Sequence, residues 1–114
     1  MTNQQRKIIL YARPGCPMLP PVEAMLKAAE VNYEYINIWQ DERARERVRR
    51  INDGYESVPT LLFPDGSTLT EPKQSALIKK LNQFGYEIEA SQAFIARVTS
   101  QIRNPFAYIR LLAF

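Results

Sequence analysis

Residues 7–17 read KIILYARPGCP and decide how the fold begins. The first six of them form a short apolar run that is typical of a β-strand. Pro14 and Gly15 follow and mark a loop, because proline fixes the backbone and glycine permits tight turns. Cys16, the only cysteine of the chain, lies in this loop. The stretch therefore predicts a strand that delivers one thiol to a loop at its carboxyl end.

The next 40 residues or so predict two helices with a strand between them. Apolar residues recur at spacings of three and four over 22–29, which places them on one face of a helix. Residues 32–38 are rich in tyrosine and isoleucine and predict a strand that is at least partly covered on both faces. Asp41 is expected to cap a second helix that ends at Asn52-Asp53-Gly54. Five arginines lie between residues 43 and 50 of that helix, interleaved with glutamates.

A hairpin and a third helix complete the pattern. Residues 60–63 and 67–70 predict two short antiparallel strands joined by Pro64-Asp65-Gly66. Pro72 is expected to be the first residue of a helix that stops at Gly85. The predicted order is β-α-β-α-β-β-α, which indicates one α/β domain over residues 1–89.

Composition excludes several classes of protein and site. The chain has 114 residues, of which 46% are hydrophobic and 24% charged, as expected for a globular domain. It contains no histidine and one cysteine, so zinc sites, serine triads, Cys-His pairs and an intramolecular disulfide are excluded. No metal site is expected.

No apolar run approaches the roughly 18 residues of a spanning helix, and the polar N-terminus does not resemble a secretory signal. We expect a cytoplasmic protein.

Cys16 is the candidate nucleophile, and we expect its thiol to be ionised and open to solvent. A thiol in a loop just before a helix lies near unpaired backbone amides and the positive end of the helix dipole, and both favour the thiolate. Arg13 adds a cation three residues earlier. A lone cysteine is also commonly a small buried hydrophobic residue, and that structural alternative stays open at this point.

The motifs around the cysteine resemble those of the glutaredoxin family of the thioredoxin fold. They are Tyr11-Ala12-Arg13-Pro14-Gly15-Cys16-Pro17 after the first strand and Val58-Pro59-Thr60 at the start of the third. The resemblance covers residues 7–85 and implies a three-layer sandwich in which the peptide bond before Pro59 is cis. It implies Cys16 as nucleophile and a glutathione groove formed by Arg13, Pro17, Val58, Pro59, Thr70 and Glu71. Thr70, Glu71 and free amides of a helix beginning at Pro72 would hold the γ-glutamyl end, and Arg13 would support the thiolate or a glutathione carboxylate. The alternative for residues 70–72 is a plain turn and helix cap.

Two departures from the family pattern define the predicted activity. The site reads Cys16-Pro17-Met18-Leu19, so no resolving thiol stands three residues after the first, and the redox cycle must be monothiol with glutathione as co-substrate. The motif also differs from the CGFS of cluster-binding glutaredoxins.

The second departure is Pro20-Pro21, which must distort or delay the first turn of the helix and so weaken the influence of the helix on the thiol. The prediction is a glutathione-dependent monothiol oxidoreductase that removes glutathione from proteins. The alternative is a weak or inactive binding module that acts through its C-terminal extension.

Residues 90–114 lie beyond an ordinary glutaredoxin and predict a helical extension. Arg97, Arg103 and Arg110 are its only charged residues, and residues 1–89 contain twelve basic and twelve acidic side chains, so the net charge of +3 lies in this tail. Its large apolar side chains must be covered. Packing on the domain is the first explanation, self-association as a homodimer the second, and shallow contact with an anionic membrane the third. No nucleic-acid partner is expected, because the arginines of 43–50 alternate with Glu42 and Glu46.

Overall fold

The computed structural model describes residues 7–86, and within them four strands alternate with three helices in the predicted order. The bounds, in chain order, are β1 Ile8–Ala12, α1 Leu19–Ala28, β2 Tyr33–Asn37, α2 Glu42–Ile51, β3 Thr60–Leu62, β4 Thr68–Thr70 and α3 Gln74–Gln83. The predicted extension over 90–114 lies outside the described residues. The division of the chain at residue 89 therefore stays a prediction.

The four strands form one mixed sheet with the order β2-β1-β3-β4. β1 pairs in parallel with β2, so that Leu10 faces Tyr35, and it pairs antiparallel with β3, so that Leu10 faces Leu61. β3 and β4 form the predicted antiparallel hairpin, with Leu61 opposite Leu69. The carboxyl ends of β1 and β2 therefore meet at one edge of the sheet, where the loop with Cys16 begins.

Helices cover both faces of the sheet, which makes the three layers of the predicted thioredoxin-like sandwich. One core cluster joins α1 and α3 to the first face through Leu26, Leu81 and Phe63. The other joins α2 to the opposite face through Val48 and Ile38. The central strands β1 and β3 are thus mostly buried, whereas Glu34 and Tyr35 of the edge strand β2 are exposed. The predicted fold class is confirmed.

The first helix begins earlier than the apolar pattern indicates but later than the cysteine. α1 starts at Leu19, three residues after Cys16, and Pro20 and Pro21 occupy its first turn. Proline is tolerated there because the first amides of a helix have no intrahelical acceptor. The delay that Pro20-Pro21 predicts is therefore present. The regular helix starts beyond the thiol rather than at it.

The third helix does not begin at Pro72, so that prediction is wrong. Lys73 is the N-cap with an extended backbone, and α3 starts at Gln74. The reason lies one residue before the proline, where the amide of Glu71 donates to the carbonyl oxygen of Pro59 at 2.8 Å. The chain is still tied to the β3 side of the sheet at that point, and it needs two further residues to turn into the helix.

The β3–β4 turn is held by a local side chain. Asp65 Oδ1 accepts hydrogen bonds from the hydroxyl of Ser67 at 2.5 Å and from its amide at 2.9 Å. These two bonds, led by the hydroxyl, lower the pKa of the Asp65 carboxyl from its ordinary value. Gly66 has a φ of +90°, a conformation that glycine adopts without a steric penalty. The Pro64-Asp65-Gly66 sequence therefore specifies this turn, as predicted.

Among the helices of residues 7–86, none is long and apolar enough to cross a membrane.

Candidate active site

Cys16 sits in a turn between β1 and α1. Its amide donates to the carbonyl oxygen of Arg13 at 3.4 Å, and its own carbonyl accepts from the amide of Leu19 at 3.1 Å. Gly15 precedes it with a φ of +76°. These local bonds fix where the backbone presents the thiol.

The thiol points at the loop before β3. Cys16 Sγ donates to the carbonyl oxygen of Val58 at 3.7 Å, a contact that spans 42 residues of sequence. The Val58–Pro59 peptide bond is cis, as the resemblance implies, and Pro59 is fully buried. The structure therefore brings together three of the predicted site residues, Cys16, Val58 and Pro59.

The expectation that the thiol is open to solvent is wrong. Cys16 is only 6% exposed and belongs to the α2-side core cluster with Tyr11, Ala44 and Val58. The cover comes from α2 and from the Val58 loop, both distant in sequence. A reacting disulfide must reach the sulfur through the small exposed part of the residue.

The start of α1 has few unpaired backbone amides that could stabilise a thiolate at Cys16. Of the amides that a helix leaves unpaired at this end, those of Pro20 and Pro21 do not exist and that of Leu19 is taken by the Cys16 carbonyl. Met18, the N-cap, is the remaining donor. The contribution of the helix terminus to a thiolate at Cys16 is therefore smaller than the position of the cysteine suggests.

Arg13 contacts an aromatic ring and a backbone carbonyl. The central carbon of its guanidinium lies 5.5 Å from the ring centroid of Trp39, and Nη1 donates to the carbonyl oxygen of Pro14 at 3.3 Å. The thiol of Cys16 contacts Val58. The two roles predicted for Arg13, support of the thiolate or a contact with a glutathione carboxylate, stay predictions.

Thr70 and Glu71 lie beside the cis-proline loop, but their predicted free groups are occupied. The hydroxyl of Thr70 donates to Asn52 Oδ1 at 2.6 Å. The amide of Glu71 is bonded to the Pro59 carbonyl, and its φ of 46° turns the chain away from the sheet. The carboxylate of Glu71 is exposed. A ligand here would meet that carboxylate and the unpaired amides at the start of α3 rather than the Glu71 amide.

Pro17 lies in a groove of about 560 Å³ between the starts of α1 and α3. Met18 and Pro21 line one wall, and Pro72 and Lys73 line the other. Met18 is exposed at this wall. The groove joins the residue after the cysteine to the segment that follows Glu71.

Sequence reasoning missed Asn52, which it treats only as part of a helix stop. Its side-chain amide donates to Thr60 Oγ1 at 3.2 Å and to the Val48 carbonyl at 2.9 Å, while its oxygen accepts from Thr70. Thr60 also donates to the carbonyl of Ser57 at 2.7 Å. This network lies directly behind the Val58–Pro59 loop. Asn52 is therefore the residue that ties α2, the loop and β4 together.

Replacing Asn52 by alanine is expected to destabilise the fold by about 1 to 2 kcal/mol, because the hydroxyls of Thr60 and Thr70 lose a partner in a half-buried site. Urea unfolding measures the change. Asn52→Asp keeps the acceptor for Thr70 but places an oxygen against the Val48 carbonyl, so it should also lower stability. Gln83→Ala, at the exposed end of α3, is the control and should change stability by no more than about 0.5 kcal/mol. An Asn52→Ala variant as stable as this control would contradict the assigned role.

The arginines of α2 form a partly paired, solvated surface. Arg45 Nε lies 3.0 Å and Arg49 Nη2 3.3 Å from the carboxylate of Glu56, while Arg50 reaches Glu46 at 3.9 Å. The pairing with glutamates agrees with the predicted solvated helix face. Within residues 7–86, no group of three or more acidic, histidine or cysteine side chains is placed to hold a metal ion.

The sequence and the fold both match known proteins. The family model described as glutaredoxin matches residues 8–67, more than half of the chain. The chain belongs to the glutaredoxin family. Mycoredoxin 1 of Corynebacterium glutamicum is 35% identical over 74 residues, which cover 65% of this chain and 91% of that protein. A protein named as a glutaredoxin in Mycobacterium tuberculosis is 32% identical over 74 residues, covering 65% and 88%.

Solved structures give the same result for the fold. A mutant form of the thioredoxin-like protein BC3987 superposes with a TM-score of 0.59 at 35% identity, covering 66% of this chain and 94% of that one. The unmutated protein superposes with a TM-score of 0.53 at 34% identity, covering 67% and 96%. This member of the glutaredoxin family has one cysteine, in the sequence Cys16-Pro17-Met18-Leu19, and is therefore a monothiol variant.

Proposed function

We propose that this protein is a glutathione-dependent monothiol oxidoreductase that removes glutathione from mixed disulfides through Cys16. The observation that carries the proposal is the placement of the only thiol of a glutaredoxin-family chain against the carbonyl of Val58, beside the cis-proline loop. The reducing cytoplasm, where a free thiol persists, is the proposed setting.

The proposed reaction has two exchange steps. The thiolate of Cys16 attacks the glutathione sulfur of a mixed disulfide, so that a bond forms between Sγ and that sulfur while the original S–S bond breaks. The released substrate thiolate takes a proton from solvent. A second glutathione thiolate then attacks the glutathione sulfur on Cys16, which yields glutathione disulfide and regenerates the Cys16 thiolate. The net reaction reduces the substrate sulfur to a thiol and oxidises one free glutathione, which leaves as a disulfide with the glutathione unit taken from the substrate.

The surrounding residues supply complementary charge to the tripeptide. Arg13 has a fixed guanidinium for a carboxylate, and the exposed Glu71 carboxylate suits the ammonium of the γ-glutamyl end. The backbone of Val58 would flank the bound sulfur. Pro17 and the groove behind it would accept apolar parts of the substrate. The hydroxyl of Thr70 is already bonded to Asn52. Thr70 would therefore help to hold the Val58–Pro59 loop in place rather than bind glutathione directly.

Turnover of the mixed disulfide of glutathione and 2-mercaptoethanol tests the proposal. With glutathione as reductant and glutathione disulfide measured by a coupled reductase, we expect a rate above the uncatalysed exchange and the parallel-line kinetics of a two-step exchange. The same assay with another low-molecular-weight thiol shows whether glutathione is the preferred co-substrate. No turnover with glutathione in the native protein would defeat the proposal.

The second candidate function is a binding module of low or absent activity. The burial of Cys16 and the two prolines at the start of α1 favour it. In this case a protein partner or a second copy of the chain would bind through residues 90–114. Deleting these residues would abolish the complex, and replacing Cys16 would not. A complex that survives the deletion would count against this function.

A further inference from the structure

Trp39, the only tryptophan of the chain, is 56% exposed and is absent from both core clusters. Burial of its ring therefore does not explain its position. The guanidinium of Arg13 lies over the ring, with its central carbon 5.5 Å from the centroid. This geometry is that of a cation–π contact.

The backbone holds the two side chains together. The amide of Ile38 donates to the carbonyl of Ala12 at 2.9 Å, and Arg13 and Trp39 are the residues that directly follow this bonded pair. The amide of Trp39 is in turn bonded to Asn37 Oδ1 at 2.9 Å. The contact is thus fixed by the parallel pairing of β1 and β2, at the edge of the sheet from which the chain continues to Cys16.

The contact orients the guanidinium without neutralising it. The indole ring carries no net charge, so the guanidinium keeps its charge and the N–H groups that bind a carboxylate in a bidentate manner. Nη1 also donates to the Pro14 carbonyl, which carries no net charge. In the part of the chain that the structure describes, no carboxylate forms an ion pair with Arg13. Arg13 is therefore held as a charged and available donor three residues before the thiol.

We propose that Trp39 is a positioning residue for substrate recognition, which holds the Arg13 guanidinium where it binds a carboxylate of the incoming thiol or mixed disulfide. The inference rests on the proposed function and adds to it a positioning residue. Thiols that carry a carboxylate are preferred, and Trp39 acts on them only through Arg13.

A double-mutant cycle of Trp39→Ala and Arg13→Gln tests this inference. Trp39→Ala should raise the KM for glutathione by about two- to fivefold with kcat nearly unchanged, as expected for the loss of an exposed cation–π contact. The double variant should resemble Arg13→Gln alone, because Trp39 has no effect once the cation is gone. Trp39→Phe, which keeps a ring, should lie close to the native protein. Tyr55→Ala removes another aromatic side chain, 71% exposed, and serves as the control with unchanged KM.

A substrate with masked charge provides a second readout. The diethyl ester of glutathione retains the thiol and loses both carboxylates, so Trp39→Ala should not change its KM. Additive effects in the cycle, a Trp39→Ala effect confined to kcat, or an equal effect on the ester would each overturn the inference.

Trp39 fluorescence separates this inference from the proposed function. Glutathione should shift the emission of the native protein and leave that of Arg13→Gln unchanged. Binding with this dependence on Arg13, but without turnover, would defeat the proposed function alone. Turnover by the native protein, together with additive effects of Trp39→Ala and Arg13→Gln on KM, would defeat the role of Trp39 alone. Absence of both binding and turnover would overturn the two together.

Discussion

Cys16→Ser is expected to reduce turnover of a glutathione mixed disulfide to the uncatalysed rate, a loss of about a thousandfold or more if the thiol is the nucleophile. A serine hydroxyl does not exchange with a disulfide, and the chain has no other thiol to replace it. The shorter Cβ–O bond of serine moves the donor away from the Val58 carbonyl, which the thiol reaches at 3.7 Å, so the variant weakens this contact.

The control for this variant is its thermal unfolding midpoint. Cys16 is buried among apolar side chains, and a hydroxyl there lowers stability by an amount that calorimetry measures directly. Turnover is compared at a temperature where native and variant are both fully folded. Retention of a substantial rate under these conditions would remove Cys16 from the mechanism.

Leu61→Ala is expected to lower the free energy of unfolding by about 2 to 5 kcal/mol, since it opens a cavity at a fully buried leucine. Leu61 lies in β3 opposite Leu10 of β1 and belongs to the core cluster that joins α1 and α3 to the sheet. It also follows the cis-proline loop by two residues. A loss of this size is a large fraction of the roughly 5 to 15 kcal/mol that stabilise an ordinary domain.

Leu69→Ala is the matched control for Leu61→Ala. Leu69 is the register partner of Leu61 in the edge strand β4 and is only half-buried. The same chemical change should therefore cost less there, because less apolar surface leaves water in the native state. Urea unfolding of both variants gives the comparison. Equal losses at the two positions would contradict the packing described for the sheet.

The sequence predicts those features that depend on hydrogen bonds between residues close to each other in the chain. The cap at Asp41 is one example, since its carboxylate accepts from the amide of Ala44 at 3.0 Å as expected of that residue type before a helix. The Pro64-Asp65-Gly66 turn is another. In both cases the deciding hydrogen bond joins residues within three positions of each other, so the sequence alone contains the relevant information.

The features that the sequence did not predict are set by contacts between distant segments. The start of α3 is displaced from Pro72 by a bond from Glu71 to Pro59, twelve residues earlier. The burial of Cys16 depends on α2 and Val58. Asn52 has the signature of a helix end, and its contacts with Thr60 and Thr70 exist only once the sheet has formed.

The contact of Arg13 with Trp39 could have been anticipated. Each residue follows the end of one of two strands that were expected to be parallel neighbours, and the carboxyl ends of such strands lie side by side. The composition of the chain does not show that a tryptophan lies next to a cation at that edge. The predicted parallel pairing of the two strands does show it, because it places the residues that follow them side by side.

The burial of the thiol and the short supply of amides at the start of α1 make the reactivity of Cys16 the point on which the account depends. Intact-mass measurement of the native protein after exposure to glutathione disulfide tests it most directly. We expect the native protein to gain the mass of one glutathione unit and to lose it again when reduced glutathione is added. The Cys16→Ser variant should gain no mass. A native protein that remains unmodified under the same conditions would contradict the account.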